Sequence, residues 1–350
     1  MTEMDSLMDS VLLATGGGAG GRAYSPLALE WALRMLAQGA RGTTQAQLAA
    51  VIGTAGDESM PAGDGTYTLS ASLWHAAQAR LRASYRDLAA GWKAEVRGVD
   101  FTAPAAAAAI NSWIAGQTGG RIIQAVDPDD LDAMTRMVLV DTLFFKGGWR
   151  DPFDADDRHA GFEAPGGRRQ VRMLDGRADR YFESEELQGI AKRYRHGGRF
   201  IAVKRKDGAP AAPTGLALGK IKAALAQAGH YDEIDLALPV FRFDDDLRLV
   251  GPLRKLGVHD AFDFERADFG GMFEQPQGIF VSQLFQKVHV DVNRLGTEAC
   301  AATVAEMILG MARAPQARRV VAVTFDRPFV FYIVDAAGRP LFCGRIDDPS

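Results

Sequence analysis

Histidine and cysteine, the side chains most often used for metal binding and nucleophilic chemistry, are few and scattered in this sequence. The six histidines are His75, His159, His196, His230, His259 and His289. None has an HExxH or comparable metal spacing, and Cys300 and Cys343 lie in separate apolar segments without CxxC. The sequence also lacks a GxSxG nucleophile elbow and a phosphate-binding loop. We therefore expect no metal, no cofactor and no enzymatic activity, and two thiols rather than a disulfide.

The stretch with the most unusual composition begins at Gly296. It reads Gly296-Thr297-Glu298-Ala299-Cys300-Ala301-Ala302-Thr303-Val304-Ala305. These residues are small, proline-free and nearly uncharged, whereas loops are normally rich in Gly, Pro, Asn and Asp. We therefore interpret the stretch as a strand that has not yet been placed in a sheet.

In an extended conformation, alternate residues of this stretch would face opposite sides. One side could be buried between strands without a charge or a bulky group: Thr297, Ala299, Ala301, Thr303 and Ala305. The other side carries Glu298 and Glu306 and should face solvent. Helix propensity alone would favour an alanine-rich helix instead. Two observations favour the extended conformation. An alternating strand immediately precedes the stretch, and the stretch itself lacks the apolar stripe of an amphipathic helix.

Helices dominate the first half of the sequence and strands the second, so we expect an α+β class. Ser25-Pro26 should open a helix, because proline suits the first helical turn. We predict further helices over Gln45 to Ile52, capped by Thr43 or Thr44, and over Tyr85 to Trp92, Ala105 to Gln117 and Gly219 to Ala228. We predict strands in the apolar run Met137 to Phe145, in Phe280 to Val292, and in a final hairpin of Val320 to Val334 with Leu341 to Ile346.

Composition limits the possible partners. The 350 residues carry a net charge of −4 and are 47% apolar, which is typical of globular proteins with a large core. No run approaches the roughly 20 apolar residues of a membrane helix, and Met1 to Ala14 lacks the features of a signal peptide. The basic triplet Lys204-Arg205-Lys206 is better explained as a solvated hairpin end than as a polyanion site. We therefore expect neither a membrane nor a nucleic-acid partner.

Five segments, in order along nearly the whole chain, resemble one known family. Val292 to Thr303 (VNRLGTEACAAT) resembles the serpin hinge, usually VNEEGTEAAAAT. The other four segments resemble the family's FSPxSI…MLxxGAxG, INxWVxxxTxGKI, LVNAxYFKGxW and ADHPFLFxI…LFxGRV motifs: Tyr24 to Gly42, Asn111 to Ile122, Leu139 to Trp149 and Asp326 to Ile346. The sequence is therefore identified as a member of the serpin family of serine-protease inhibitors.

The resemblance implies one domain over residues 1–350, with three β-sheets, about nine helices and an exposed reactive-centre loop at about residues 296–319. It implies a monomeric suicide substrate that forms a covalent acyl complex with a serine-type endopeptidase and then inserts its cleaved loop into the central sheet. The alternative is a non-inhibitory serpin acting as a binding or carrier protein. The family is typically extracellular, whereas the missing signal peptide leaves a cytoplasmic location open.

The resemblance also gives the scissile bond, by two counts that disagree. The family's spacing from Gly296 leads to Gly310-Met311, whereas counting back from the closing strands leads near Ala317-Arg318. Leu309 or Met311 would suit a protease with an apolar pocket, and Arg313 would suit a trypsin-like one, whose pocket holds an Asp. We favour Gly310-Met311.

The region where the central strands part is the other site that the resemblance implies. It would contain Ser25, Asp141, Trp149, Gln286 and Arg294. The family usually has Asn where Asp141 stands and His where Gln286 stands, and two acidic residues in place of Arg294 and Leu295. We expect a rearranged hydrogen-bond cluster around Asp141 and Gln286, and a different attachment of the hinge.

Overall fold

The computed structural model describes residue 11 and residues 21–53, 66–208, 218–297 and 319–350. Within these ranges the chain forms six α-helices and two short 3-10 helices, Pro128–Asp130 and Asp260–Phe262. The described α-helices are thus fewer than the nine or so that the resemblance implied. They are α1 (Pro26–Gly39), α2 (Gly42–Ile52), α3 (Ala83–Gly91), α4 (Ala105–Gln117), α5 (Leu218–Gln227) and α6 (Val250–Lys255).

The first two helices begin for different reasons. The Ser25 hydroxyl accepts the backbone N–H of Ala28 at 3.1 Å, and Pro26 occupies the first helical position of α1, as the sequence predicts. The predicted capping of α2 by Thr43 or Thr44 is wrong. That helix follows Arg41 without a side-chain cap, and the Thr44 hydroxyl instead accepts the backbone N–H of Asp268 at 3.0 Å. A tertiary contact therefore takes the hydroxyl that local reasoning assigned to the cap.

The strands of the described ranges form three sheets of seven, six and four strands, which confirms the α+β class. The seven-stranded sheet contains β2 (Tyr67–Ala76), β3 (Glu95–Val99), β4 (Met137–Phe145), β5 (Gly147–Gly148), β12 (Phe241–Arg248), β13 (Val281–Asn293) and β14 (Gly296–Thr297). The six-stranded sheet contains β1 (Gly21–Tyr24), β8 (Arg180–Glu183), β9 (Leu187–Arg193), β10 (Arg199–Arg205), β16 (Phe329–Val334) and β17 (Pro340–Ile346). The four-stranded sheet contains β6 (Ala155–Ala164), β7 (Gly167–Arg177), β11 (Glu233–Pro239) and β15 (Val320–Thr324).

The seven-stranded sheet is covered on both faces. On one face, Leu139 and Leu143 of β4 join the large core that includes α1. On the other, Val138 and Val140 pack in a second core with Ile110 and other residues of α4. Because both faces of β4 are buried, its sequence is a nearly continuous apolar run, interrupted only by Asp141 and Thr142, instead of an alternating one. The strand predicted at Met137 to Phe145 is confirmed on this basis.

The closing strands belong to two different sheets. Residues 320–334 were expected to form one strand of a hairpin, but they form β15 and β16, separated by the segment around Pro328. β15 pairs in parallel with β11, whereas β16 pairs with β17 in the six-stranded sheet. The Phe325 N–H donates to Ala237 O at 2.8 Å and so continues the β11 pairing up to the crossing. Two short apolar strands of the same character cannot be assigned to separate sheets from periodicity alone.

Candidate functional site

The long strands β4 and β13 lie side by side and then part. They pair in parallel from Val281 to Lys287 of β13, opposite residues 137–142 of β4. Further along the same edge of β13, β14 pairs at Val292 and Asn293, and β5 pairs with the far side of β14. Among the described strands, none pairs with residues 288–291 on this edge. We call the line between β4 and β13 the seam.

A buried polar cluster bridges the paired part of the seam. Gln286 Nε2 donates to Asp141 Oδ1 at 2.6 Å and to Ser25 O at 3.0 Å. The Ser25 N–H donates to Gln286 Oε1 at 2.7 Å. The three residues come from β13, from β4 and from the start of α1, and all three are fully buried. The amide of Gln286 therefore ties both strands of the seam to the helix beneath them.

Asp141 is the exceptional member of this cluster. Its side chain is 0% exposed, and among the described residues its Oδ2 atom has no hydrogen-bond partner. Loss of hydration on burial raises the pKa of Asp141 to about 7, and the hydrogen bond from Gln286 offsets only part of that effect. An acid of this pKa changes its charge near neutral pH, inside the core and on the seam.

The hinge starts in a tight turn that main-chain bonds hold in place. The Trp149 N–H donates to Leu295 O at 2.9 Å, and the Phe153 N–H donates to Arg294 O at 3.1 Å. The Leu295 N–H donates in turn to Asn293 Oδ1 at 3.0 Å. These bonds use the backbone of Arg294 and Leu295. The turn therefore does not depend on the acidic side chains that the family usually carries there.

Thr297 is already packed inside the protein. It is 2% exposed, and its Oγ1 lies 2.7 Å from the hydroxyl of Tyr194, in hydrogen-bond contact. Tyr194 in turn stacks on Trp149, with ring centroids 4.6 Å apart and planes 10° from parallel. Burial raises the pKa of the Tyr194 hydroxyl above its ordinary value, so this group stays protonated. Sequence reasoning missed Tyr194, because nothing local marks a residue whose partner lies 103 positions away.

Trp149 is the centre of an aromatic cluster under the hinge. Its Nε1 donates to Asn293 O at 2.9 Å, and the edges of Phe153 and Phe200 approach its ring with centroids 5.8 Å away. The Lys192 Nζ lies 4.5 Å from the Phe153 ring centroid and donates to a backbone carbonyl at 2.7 Å. Burial lowers the pKa of Lys192 to about 8. Sequence reasoning missed this lysine as well.

Gly147 leaves the space that this cluster needs. A Cβ atom at position 147 would lie 2.6 Å from Phe145 Cζ and 2.9 Å from Tyr194 Cδ1, closer than real contacts allow. The same atom at Gly148 would have no neighbour nearer than 3.7 Å. The glycine at 147 is therefore required by the close approach of two aromatic rings.

The remaining predicted loop residues lie outside the described residues. They are Glu298, Ala299, Cys300, Ala301, Ala302, Thr303, Leu309, Gly310, Met311 and Arg313. The chain is described again from Arg319, whose N–H donates to Asp232 Oδ2 at 2.7 Å. The Arg319 guanidinium lies over the Tyr231 ring at 4.2 Å from its centroid. One end of the segment is thus fixed at the seam and the other beside β11.

The basic triplet 204–206, a candidate polyanion site from the sequence, is paired with acidic side chains. Lys204 is only 7% exposed and pairs with Asp326, so the basic triplet is not simply a solvated hairpin end. Its neighbours Arg205 and Lys206 also have acidic partners. In the described ranges, no group of three or more His, Cys, Asp or Glu side chains is placed to hold a metal ion. No described helix is both long and apolar enough to span a membrane.

Comparison with known proteins agrees on one family. A family model described as Serpin (serine protease inhibitor) matches residues 13–349. Serpin-ZXA of Oryza sativa subsp. japonica is 32% identical over 378 residues, covering 95% of this chain and 91% of that protein. The native-state structure of the thermophilic serpin tengpin superposes with a TM-score of 0.86 at 22% identity, over 98% of this chain and 92% of that one. Human thyroxine-binding globulin superposes with a TM-score of 0.83 at 22% identity, over 99% of each chain. At these identities the structural likenesses concern the fold alone.

Proposed function

This chain belongs to the serpin family, and from that premise we propose that it is an inhibitor of serine-type endopeptidases rather than an enzyme. It acts as a suicide substrate. The protease serine attacks a carbonyl carbon in the loop, the peptide bond breaks, and the N-terminal part of the loop stays esterified to the enzyme. That part then enters the seam as a new strand and carries the protease with it.

The observation that carries this proposal is the position of the first hinge residues. Gly296 and Thr297 form β14 against β13, and Thr297 is buried. Residues that continue this strand would run along the unpaired edge of β13. Alternation would turn Ala299 and Ala301 to the same side as Thr297, and Glu298 to the other. The small side chains are thus on the side that must enter the interior.

Backbone pairing supplies a sufficient driving force. β13 is 13 residues long, and once β4 parts from it a new strand of similar length can pair with β13 on one side and with β4 on the other, which replaces the bonds lost between them. Each new backbone hydrogen bond contributes about 1 kcal/mol, and a dozen give on the order of 10 kcal/mol. That is comparable to the whole stability of an ordinary domain, about 5–15 kcal/mol, and is enough to distort a trapped protease.

The bond attacked is proposed to be Gly310-Met311, with Ala317-Arg318 as the alternative. A protease with an apolar primary pocket would instead cut directly after Leu309 or Met311, one residue to either side of that bond, and a trypsin-like one directly after Arg313. We further propose that the inhibitor acts as a monomer formed by one domain over residues 1–350.

The alternative function is a binding or carrier protein whose loop is merely cut. The fold is shared with thyroxine-binding globulin, but at 22% identity that likeness does not extend to function. The proline-free, small-residue hinge argues against this alternative, because a carrier does not need a loop that can enter a sheet.

Incubation with a panel of elastase-, chymotrypsin-, subtilisin- and trypsin-like proteases tests the proposal. We expect an SDS-stable band of combined mass with one of them, and release of a C-terminal fragment whose mass identifies the bond. Loop cleavage should also raise the melting temperature substantially. Clean cleavage without a complex, together with an unchanged or lower melting temperature, would favour the carrier function.

A further inference from the structure

Asp141 is a titratable group that the proposed inhibitory cycle does not use, and it lies on the line that must open. It stands opposite Gln286, one pair before the paired part of the seam ends at Thr142 and Lys287. It is 0% exposed, with one oxygen held by Gln286 and the other, among the described residues, without a partner. A carboxylate in this position would be a buried charge with a single hydrogen bond, which is strongly unfavourable.

The charged groups on the packed elements do not neutralise it. On β13, Lys287 and His289 project to the opposite face of the sheet, because successive residues alternate. There they contact the carboxylates of Asp246 and Asp244 on β12. No opposite charge from these two strands therefore reaches Asp141.

The groups on the same face as Asp141 have other partners or lie far along the strand. Asp245 of β12 accepts from Arg22 Nη1 at 2.6 Å and from a backbone N–H of β1 at 2.7 Å. Glu30 and Arg34 of α1 pair with each other at 2.6 Å. His75 of β2 stands opposite Met137, at the other end of β4. The Asp141 carboxyl is thus electrically isolated in the closed seam.

We propose that Asp141 is a proton-controlled lock on the seam, closed when its carboxyl is protonated and weakened when it ionises. A neutral carboxyl can remain in the dry interior beside Gln286. An ionised one is stabilised when β4 and β13 part and water reaches it, so opening releases a proton. The inference rests on the proposed function in one respect, that the same opening admits the loop.

The pH dependence of opening follows from the pKa of Asp141 in the closed seam and in the open, hydrated one. The pKa of Asp141 is about 7 in the closed seam, and a hydrated aspartate has an ordinary value of 3.8. The opening equilibrium therefore rises about tenfold for each pH unit between these values and levels off above the higher one. From about pH 5 to about pH 8, the seam should open roughly 50- to 100-fold more often.

Hydrogen–deuterium exchange measured by mass spectrometry tests this without a protease. Exchange of peptides from β4 and β13 is compared in the parent, in Asp141→Asn and in Asp245→Asn at each pH. The ratio between variants at one pH cancels the intrinsic pH dependence of exchange. We expect exchange in the parent to exceed that in Asp141→Asn increasingly as pH rises. Asp245→Asn removes a partly buried carboxyl on the opposite edge of β13, where it already has partners on β1, and should keep the parent's profile.

Equal pH profiles in the parent and Asp141→Asn would overturn the proposal. If Asp141→Asn does not fold, seam peptides of the parent are compared with its own β10 peptides, and an equal pH dependence of both overturns it. Failure of the proposed function looks different. If exchange in β4 and β13 depends on pH through Asp141 but no SDS-stable complex forms, the protein has the lock without being an inhibitor. A protein that forms complexes with a pH-independent seam is an inhibitor without the lock.

Discussion

Replacing Thr297 with arginine tests the direction in which the loop enters the sheet. Thr297 is 2% exposed and shares a hydrogen bond with the Tyr194 hydroxyl at 2.7 Å. An arginine at this position would bring a guanidinium toward the aromatic cluster, where Lys192 is already a buried cation. In the uncleaved variant we expect the arginine to keep position 297 out of the sheet. Burying the guanidinium then becomes part of insertion, so Thr297→Arg should slow the first step of insertion while the protease still attacks the same bond.

The magnitude can be estimated from two losses. A buried Tyr194 hydroxyl left without its partner costs about 1–3 kcal/mol. A guanidinium buried without a counter-ion costs several kcal/mol more, although part of it can be avoided if the side chain turns out to solvent. A barrier higher by about 3 kcal/mol slows insertion roughly 150-fold. Insertion competes with hydrolysis of the acyl-enzyme, so most encounters should then end with an active protease and a cut loop.

The assay is the stoichiometry of inhibition, the number of inhibitor molecules consumed per protease inactivated. For Thr297→Arg we expect it to rise by about tenfold or more above the parent value. Glu298→Arg is the matched control, because it places the same guanidinium one residue later, on the side expected to face solvent. It changes the net charge by +2, against +1 for Thr297→Arg, so a pure charge effect would be larger in the control. Thr297→Ser keeps the hydroxyl and should behave like the parent, and Thr297→Val should fall between the two.

Two results would refute this reasoning. If Thr297→Arg inhibits as efficiently as the parent, burial of position 297 is not needed for insertion. If Glu298→Arg raises the stoichiometry as much as Thr297→Arg or more, the effect comes from added charge near the protease and the proposed strand register is wrong.

Three further predictions concern the aromatic cluster, the buried lysine and the bait. Gly147→Ala should lower the unfolding free energy by about 1–3 kcal/mol in urea titrations, because its Cβ meets two rings, whereas Gly148→Ala should change it little. Burial lowers the pKa of Lys192 from 10.5 to about 8, so between these two pH values the folded state binds fewer protons than the unfolded state. The unfolding free energy of the parent should therefore rise with pH across this range, as the buried ammonium group loses its proton. Lys192→Met should abolish that rise. Urea midpoints across this range for parent and variant measure that difference. Met311→Ala should slow inhibition of a protease with an apolar pocket, whereas Arg313→Ala should slow inhibition of a trypsin-like protease alone. The mass of the released C-terminal fragment identifies the bond that is cut. Cleavage only at Arg318 or Arg319 would exclude Gly310-Met311 as the scissile bond.

The pattern of apolar and polar residues was sufficient to predict several helices and strands whose burial is regular along their length. The apolar run Met137–Phe145 forms β4 because both of its faces are covered, and the predicted helix Ala105 to Gln117 is α4 with the same bounds. The alternation that ends in Val292 was also reliable, since Val288, Val290 and Val292 are all fully buried. In each case the order of apolar and polar residues within one element indicates which of its residues are buried.

Partners distant in sequence were decided only by the tertiary structure. The resemblance grouped Ser25, Asp141 and Gln286 in one hydrogen-bond cluster. Only the fold revealed that Gln286 donates to one oxygen of Asp141 and leaves the other without a partner among the described residues. The Tyr194 contact with Thr297, and the division of residues 320–334 between two sheets, had no local signal. Periodicity reports whether a residue is buried, because burial repeats with the geometry of its own strand or helix. It cannot report which distant residue lies opposite, because that depends on how whole elements pack together.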